Sequence, residues 1–365
     1  MIYIYLFFIV LNLWIGNTKK KNYLILFISF VFTIILMGLN TYNSDYIAYK
    51  GYYTSQQYDF AVEVGFRVFS SVCYFGGLSY HAFLCIYFSV ALLIGGVTVK
   101  RISGNYHFCL AFYLLTAIFL DACEIRQTMA YFIAALALTY LADNKKGKYI
   151  LLILLASSFQ KSALALLPLV ILYRNIKEYK KILMAFFCII CIICIIVFLN
   201  GNRIPGLKEI LSIFLSEDKL VYFDTQTRLG FLLFFFANFS NMCIVWYMKK
   251  YYPRMQNKNE FVTKLGFKYV DVSWNMLLYL CFAMPLCMIN SEFLRYFRFI
   301  VLPVIMIGSF TANYKSEILK RKNKFVLNKM DVAFFCYLIC YTISFQHFRV
   351  LNEVLSNNMK IFLIM

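Results

Sequence analysis

The chain has 365 residues, 62% of them hydrophobic, with 39 Phe and 29 Tyr, against the roughly 45–50% apolar usage of soluble domains. That composition and a mean hydropathy of +0.71 exclude an ordinary soluble globular protein. A formal net charge of +19 would suggest a nucleic-acid partner in a soluble chain, but in a membrane protein excess Lys and Arg first report orientation.

The apolar runs can be followed in chain order. "MIYIYLFFIVLNLWIG" is a retained helix rather than a signal peptide, because Lys19–Lys21 follow it instead of preceding it and no small-residue cleavage site comes after. A second run covers 23–39. Residues 64–78 carry Arg67 and end in Gly76-Gly77, which suits an interfacial or re-entrant helix better than a span. Runs at 80–99, 106–120 and 127–142 follow. In 149–173 the stretch "SSFQKS" interrupts the apolar pattern; two short arms, 149–159 and 162–173, form a hairpin with Gln160-Lys161-Ser162 at its outer tip. Further runs lie at 182–199, 229–248, 273–289, 299–313 and 331–345, giving ten clear spans, some of which need flanking residues to reach the roughly 20 required. The expectation is an all-α, polytopic integral membrane protein with about 10–12 transmembrane helices plus the interfacial or re-entrant helix. It forms a single membrane domain over 1–365. The 12 Cys fall almost entirely inside apolar runs, Cys188, Cys191 and Cys194 on one helical face, and imply neither zinc nor disulfides.

With the amino terminus outside, this threading places 24 of the 36 Lys and Arg on the inside, as the positive-inside rule requires. The outside then holds the loops 40–67, 200–228 and 290–298, the hairpin tip and the turn "DACEIRQ". Mixed charge and aromatics concentrate on that face, whereas the inner loops are mostly Lys-rich connectors.

Arg126, Arg228, Arg295 and Arg298 fall at outer helix ends. A guanidinium stays charged when partly desolvated and its fork suits phosphate, so a cationic pocket at a membrane surface points to an anionic, membrane-embedded ligand; the alternative is interfacial anchoring with Glu124 and Glu292 as partners. Asp45, Asp59 and Glu63 sit among Tyr42, Tyr46, Tyr49, Tyr52, Tyr53 and Tyr58. Carboxylates and tyrosines together make a carbohydrate surface, and a carboxylate there could act as a base for a sugar hydroxyl; the alternative is an aromatic belt with solvated acids. His81, His107 and His347 form no motif. No Walker A, GxSxG, zincin helix or Asp-x-Asp is present.

"SDYIAYKGYY", "VEVGFRVFSSV", "EIRQTMAYFIAALALTYL", "FQKSALALLPLVILY" and "RYFRFIVLP", in that order and spacing, resemble the EpsG family of bacterial exopolysaccharide and O-antigen polymerases, the Wzy-like proteins, over roughly 40–305. The resemblance implies a metal-independent glycosyltransferase with no cofactor, which moves a growing chain from undecaprenyl pyrophosphate to the non-reducing-end hydroxyl of another lipid-linked repeat unit. It implies catalytic roles for Asp45, Glu63, Arg126 and Arg295, and substrate contacts from Tyr46, Glu124, Gln127, Gln160, Lys161, Ser162, Arg228 and Arg298. Family members often show His-x-Ser-Ala-like residues where this chain has "QKSA", which favours positioning over general-base work at Gln160. The implied setting is the bacterial cytoplasmic (inner) membrane, multi-pass, with the site facing the periplasm or exterior. Expected partners are an undecaprenyl-pyrophosphate-linked oligosaccharide, membrane lipid and a chain-length regulator, and no nucleic acid. The rival reading is a flippase or exporter of lipid-linked sugar, which should carry its charges nearer the midplane and show repeat-related halves.

Overall fold

A computed structural model describes residues 2–16, 22–41, 45–58, 62–171, 180–203, 230–256, 264–290 and 295–310, with Gly206, Glu209, Ser212 and Phe293. The described secondary structure is helical throughout. The first nine α-helices are α1 (Ile2–Gly16), α2 (Tyr23–Gly38), α3 (Tyr46–Ser55), α4 (Val64–Phe75), α5 (Tyr80–Ile102), α6 (Tyr106–Thr116), α7 (Ile118–Cys123), α8 (Ile125–Ala142) and α9 (Lys146–Phe159). A 3₁₀ segment, Lys161–Leu166, follows α9, and then come α10 (Lys180–Leu199), α11 (Gly230–Gln256), α12 (Lys264–Leu280), α13 (Met284–Ile289) and α14 (Arg295–Arg298). Residues 301–310 are helical as well. The expected span 331–345 lies outside the described residues.

Helix α8 is the centre of the bundle. It is apolar on every side and buried along its length, as a helix enclosed by others must be, and α5, α9 and α12 pack against it. The outer surface is apolar instead of polar: Phe7, Val10 and Trp14 on α1, Leu24 and Phe27 on α2, and Ile192 and Ile195 on α10 are exposed. A continuous exterior of this kind is stable against hydrocarbon and not against water. Three helices among the described residues, Tyr80–Ile102, Ile125–Ala142 and Leu265–Ile289, have the length and composition to cross a membrane. The chain is an all-α, polytopic membrane protein.

Three local features differ in detail from the apolar runs or sharpen them. The run 106–120 is broken: α6 stops at Thr116, whose hydroxyl donates to the Phe112 carbonyl at 2.6 Å, a back-bond that bends helices. The short α7 then leads to a break at Glu124, and the Thr128 hydroxyl ties both sides of it by reaching the Asp121 carbonyl at 2.7 Å and that of Glu124 at 3.1 Å. The run 273–289 is split by a 3₁₀ turn at Cys281–Ala283, with Pro285 in the first turn of α13; proline has no N–H to continue the preceding helix. Finally, α4 has 12 residues, too few to span. Val64, Val68, Val72 and Phe75 form an exposed apolar stripe while Phe66, Ser70 and Cys73 are buried, the two-faced pattern of a helix lying in an interface.

The hairpin is present. Gln160 is extended (φ −152°, ψ 113°) and ends α9, and the returning 3₁₀ segment runs back along it, so that the Tyr149 hydroxyl near the start of α9 donates to the Leu166 carbonyl at 2.5 Å.

Candidate functional site

Two ionic clusters flank the amino-terminal end of α8. In the first, Arg126, in the opening turn of α8, donates from Nε to the Tyr49 hydroxyl of α3 at 2.8 Å and pairs through Nη1 with Glu63 Oε2. Its guanidinium carbon lies 5.6 Å from the Tyr49 ring centroid. Glu63 occupies the N-cap position of α4 and is 6% exposed. Its other oxygen, Oε1, accepts the backbone N–H of Lys161 at 3.2 Å. One carboxylate therefore joins the start of α4, the hairpin tip and α8. Burial raises the Tyr49 phenol above its ordinary range, with Arg126 pulling the other way, so Tyr49 serves as a neutral hydroxyl.

The packing that brings Glu63 there depends on Gly65. A Cβ at Gly65 would sit 2.4 Å from Ser158 Oγ and 2.8 Å from the Ser158 carbonyl oxygen. Only glycine lets α4 approach α9 this closely. The Glu-x-Gly spacing is thus a packing requirement on one residue and an ionic contact on the other.

In the second cluster Arg298, at the end of α14, is 4% exposed and bridges two acids: its Nη2 lies 2.5 Å from Asp121 Oδ1 of α7, and its Nη1 meets Glu124. Asp121 is 2% exposed. Its charge is not in solvent, as a simple outer turn would have it, but buried against a cation. Burial pushes its carboxyl up to about 6 against the pull of the adjoining guanidinium. The Arg298 guanidinium also lies 5.0 Å from the Tyr131 ring centroid, a cation–π distance. The Tyr131 hydroxyl contacts Gln127 Oε1 at 2.5 Å and the Arg295 carbonyl at 3.3 Å.

Around the first cluster several buried polar atoms have no hydrogen-bond partner among the described residues: the Tyr80 and Tyr87 hydroxyls, Gln160 Oε1 and Ser162 Oγ. Buried polar atoms are normally satisfied, and Gln160 and Ser162 flank the Lys161 amide that Glu63 holds. A group of unsatisfied hydroxyl and amide oxygens beside an ion pair is the lining expected of a site for a polar, hydroxyl-bearing ligand.

The structure thus gathers Glu63, Glu124, Arg126, Gln127, Gln160, Lys161, Ser162, Arg295 and Arg298 around one helix end. Asp45 and Tyr46 lie at the start of α3, the helix that also carries Tyr49. Tyr46 itself turns towards His81, its hydroxyl 3.4 Å from Nε2. Arg295 is half-buried and Lys161 exposed. Arg228, Asp59, Tyr42 and Glu292 lie outside the described residues, as does most of the loop 200–228. Sequence reasoning missed Tyr80, Tyr87 and Tyr131, which sit among other aromatics in apolar helices and look like core. It also missed Asp121 as the partner of Arg298, at a separation of 177 residues.

The model of the EpsG family matches this chain over residues 23–359. No curated protein and no solved structure matches.

Proposed function

Because the chain belongs to the EpsG family, we propose that it is a polysaccharide polymerase that joins undecaprenyl-pyrophosphate-linked oligosaccharide repeat units at the outer face of a bacterial cytoplasmic membrane, by glycosyl transfer without a metal. The observation that supports this most is the convergence of Arg126, Glu63, Lys161 and Arg295 with unsatisfied buried hydroxyl and amide groups at one helix end. A flippase would need such charges reachable from both sides.

The two ionic clusters divide the work. Departure of a pyrophosphate develops negative charge, and fixed cations beside it stabilise the transition state more than the ground state. Both arms of Arg298 are held by Asp121 and Glu124, and Arg126 is held by Glu63 and Tyr49. These two arginines set the frame. Lys161, which is exposed, and Arg295, which is half-buried, are the cations proposed to meet the pyrophosphate. Both oxygens of Glu63 are engaged, so Glu63 positions the hairpin and Arg126. Asp45, at the start of α3 with Tyr46 and Tyr49, is the carboxylate proposed for the acceptor hydroxyl, acting as a base or an orienting acceptor. Gln160 and Ser162 contact sugar.

The test is polymer synthesis from purified lipid-linked repeat units by the purified chain in liposomes, together with deletion in the native strain. A polymer ladder in the liposomes, and single repeat units at the surface of the deletion strain, support the proposal. Inert liposomes and a deletion strain with no repeat units at its surface favour the flippase.

A further inference from the structure

A cavity of about 420 Å³ opens between α2, α5, α6, α8 and the helical residues 301–310, within the roughly 300–1,000 Å³ range of ligand pockets. Its lining is apolar and includes Phe27, Leu93, Gly96, Tyr113, Phe132 and Leu302. Two features set it apart from a packing defect. It is open sideways: Phe27 and Leu93 at its mouth are 64% and 59% exposed, on the surface that faces hydrocarbon. It is also continuous with the ionic site. Tyr113, which forms part of its wall, lies near enough to Asp121 for its hydroxyl to lower that carboxyl's proton affinity. Leu302 lies four residues beyond Arg298, across the turn at 299–300, and Phe132 lies under two helical turns beyond Arg126. From Tyr113 the groove runs along α6 to Tyr106, about 10 Å by helix rise, leading away from the charges.

We propose that this groove is the binding site for the prenyl chain of the lipid-linked substrate, entered laterally from the bilayer and ending beneath the Asp121–Arg298 cluster. A long hydrocarbon chain matches the apolar slot, and a head group at the groove's end would lie at the end of the bundle that carries Arg126, Arg295 and Arg298. The inference rests on the polymerase reading for the identity of the head group, and on the groove alone for the chain.

Gly96 gives a clean test, because a Cβ there meets nothing within 4 Å, whereas one at Gly95 would lie 2.5 Å from the Phe132 ring. Gly96→Leu therefore fills the groove without disturbing the α5–α8 contact. The probes are undecaprenyl pyrophosphate and the short geranyl pyrophosphate, bound to the purified full-length chain in detergent and followed by native mass spectrometry, with a bacterial phospholipid as competitor. The wild type should hold the long-chain compound at least about tenfold tighter than the short one. Gly96→Leu, and Leu93→Trp at the mouth as a second variant, should lose that preference while binding the short compound as the wild type does. Equal binding of both compounds by the wild type, an unchanged preference in both variants, or displacement of undecaprenyl pyrophosphate by equimolar phospholipid would overturn the proposal. If the wild type makes no polymer from repeat units yet shows the preference and the variants lose it, the groove assignment stands and the polymerase reading falls.

Discussion

Removing the Arg298 guanidinium should unfold the protein before it changes any chemistry. Arg298 and Asp121 are 4% and 2% exposed, and Glu124, the second partner, is 24% exposed through its side chain. Arg298→Ala removes the cation that holds the buried Asp121 carboxyl down, so Asp121 is left either as an unpaired buried charge or, after taking up a proton, as a buried polar group with a lost partner. Breaking a buried pair in this way costs about 3–5 kcal/mol, a large part of the roughly 5–15 kcal/mol by which native proteins are stable. Because burial outweighs pairing at the Asp121 carboxyl, removing both charges should be nearly harmless. Arg298→Met combined with Asp121→Asn should recover most of the loss, with a coupling of about 2–3 kcal/mol; Glu124 keeps its contact with water. The assay is the thermal midpoint and the yield of monodisperse protein after detergent extraction, for both single variants and the double variant. An Arg298→Ala protein that melts and accumulates like the wild type, with no polymer made, would refute the reasoning and make Arg298 a substrate contact.

At the accessible cations the expectation is reversed: Arg295→Ala and Lys161→Ala should melt normally, and a residue that touches the leaving group should lose about 10²–10³-fold in polymerisation rate. Arg295→Lys should rescue incompletely, because an ammonium offers a point charge instead of a fork; full chain-length distributions in both alanine variants would reduce these residues to anchors. Gly65→Ala should push α4 off α9 and detach Glu63 from Arg126, and adding Ser158→Ala should not restore function, since the clash with the Ser158 carbonyl persists; polymerisation by Gly65→Ala at the wild-type rate contradicts the close packing. Asp45→Asn should slow turnover far more than it weakens donor binding, with wild-type rates in the presence of chelator. Unchanged turnover removes the acceptor role, and loss of activity on chelation means that these carboxylates hold a metal. Cysteine labelling at Lys100, Lys146 and Lys177 should report the inside, and at Ser55, Lys161 and Asp218 the outside. An inside Lys161 puts the hairpin tip on the wrong face.

Much of the architecture was legible because the bilayer imposes a simple rule on sequence. Segments long and apolar enough to span had to be helices, and the interruptions at "SSFQKS" and Gly76-Gly77 marked places where the chain could not simply continue. Local capping and bending were less visible: the break after Thr116 depends on a hydroxyl choosing the Phe112 carbonyl, and Thr is tolerated in helices without such a bond. At the site, charges at helix ends marked residues that the structure brings together, but did not mark their partners. Arg126 and Glu124 are two residues apart and belong to different clusters; their acids and bases come from α4 and α14. Which acid each of Arg126 and Arg298 meets is decided by those long-range pairs. Tyr80 and Tyr87 show the opposite difficulty. Ring and hydroxyl belong to one residue type, and only packing reveals that the ring is in the core and the hydroxyl beside an ion pair.

The joints of the site span long stretches of chain: Glu63 meets Arg126 across 63 residues and Lys161 across 98, and Asp121 meets Arg298 across 177. Helices in a membrane insert first and associate afterwards. During biosynthesis, then, Asp121 and Glu124 are in place long before Arg298 has been made, and Glu63 before the hairpin exists. Had these groups been at mid-helix, each would have to cross the hydrocarbon unpaired, at about 2.5–3.5 kcal/mol even on the lenient scale. Placed at helix ends, they can stay hydrated until the elements that carry their partners dock. The position of the charges is as much a solution to the order of assembly as to the chemistry of the finished site.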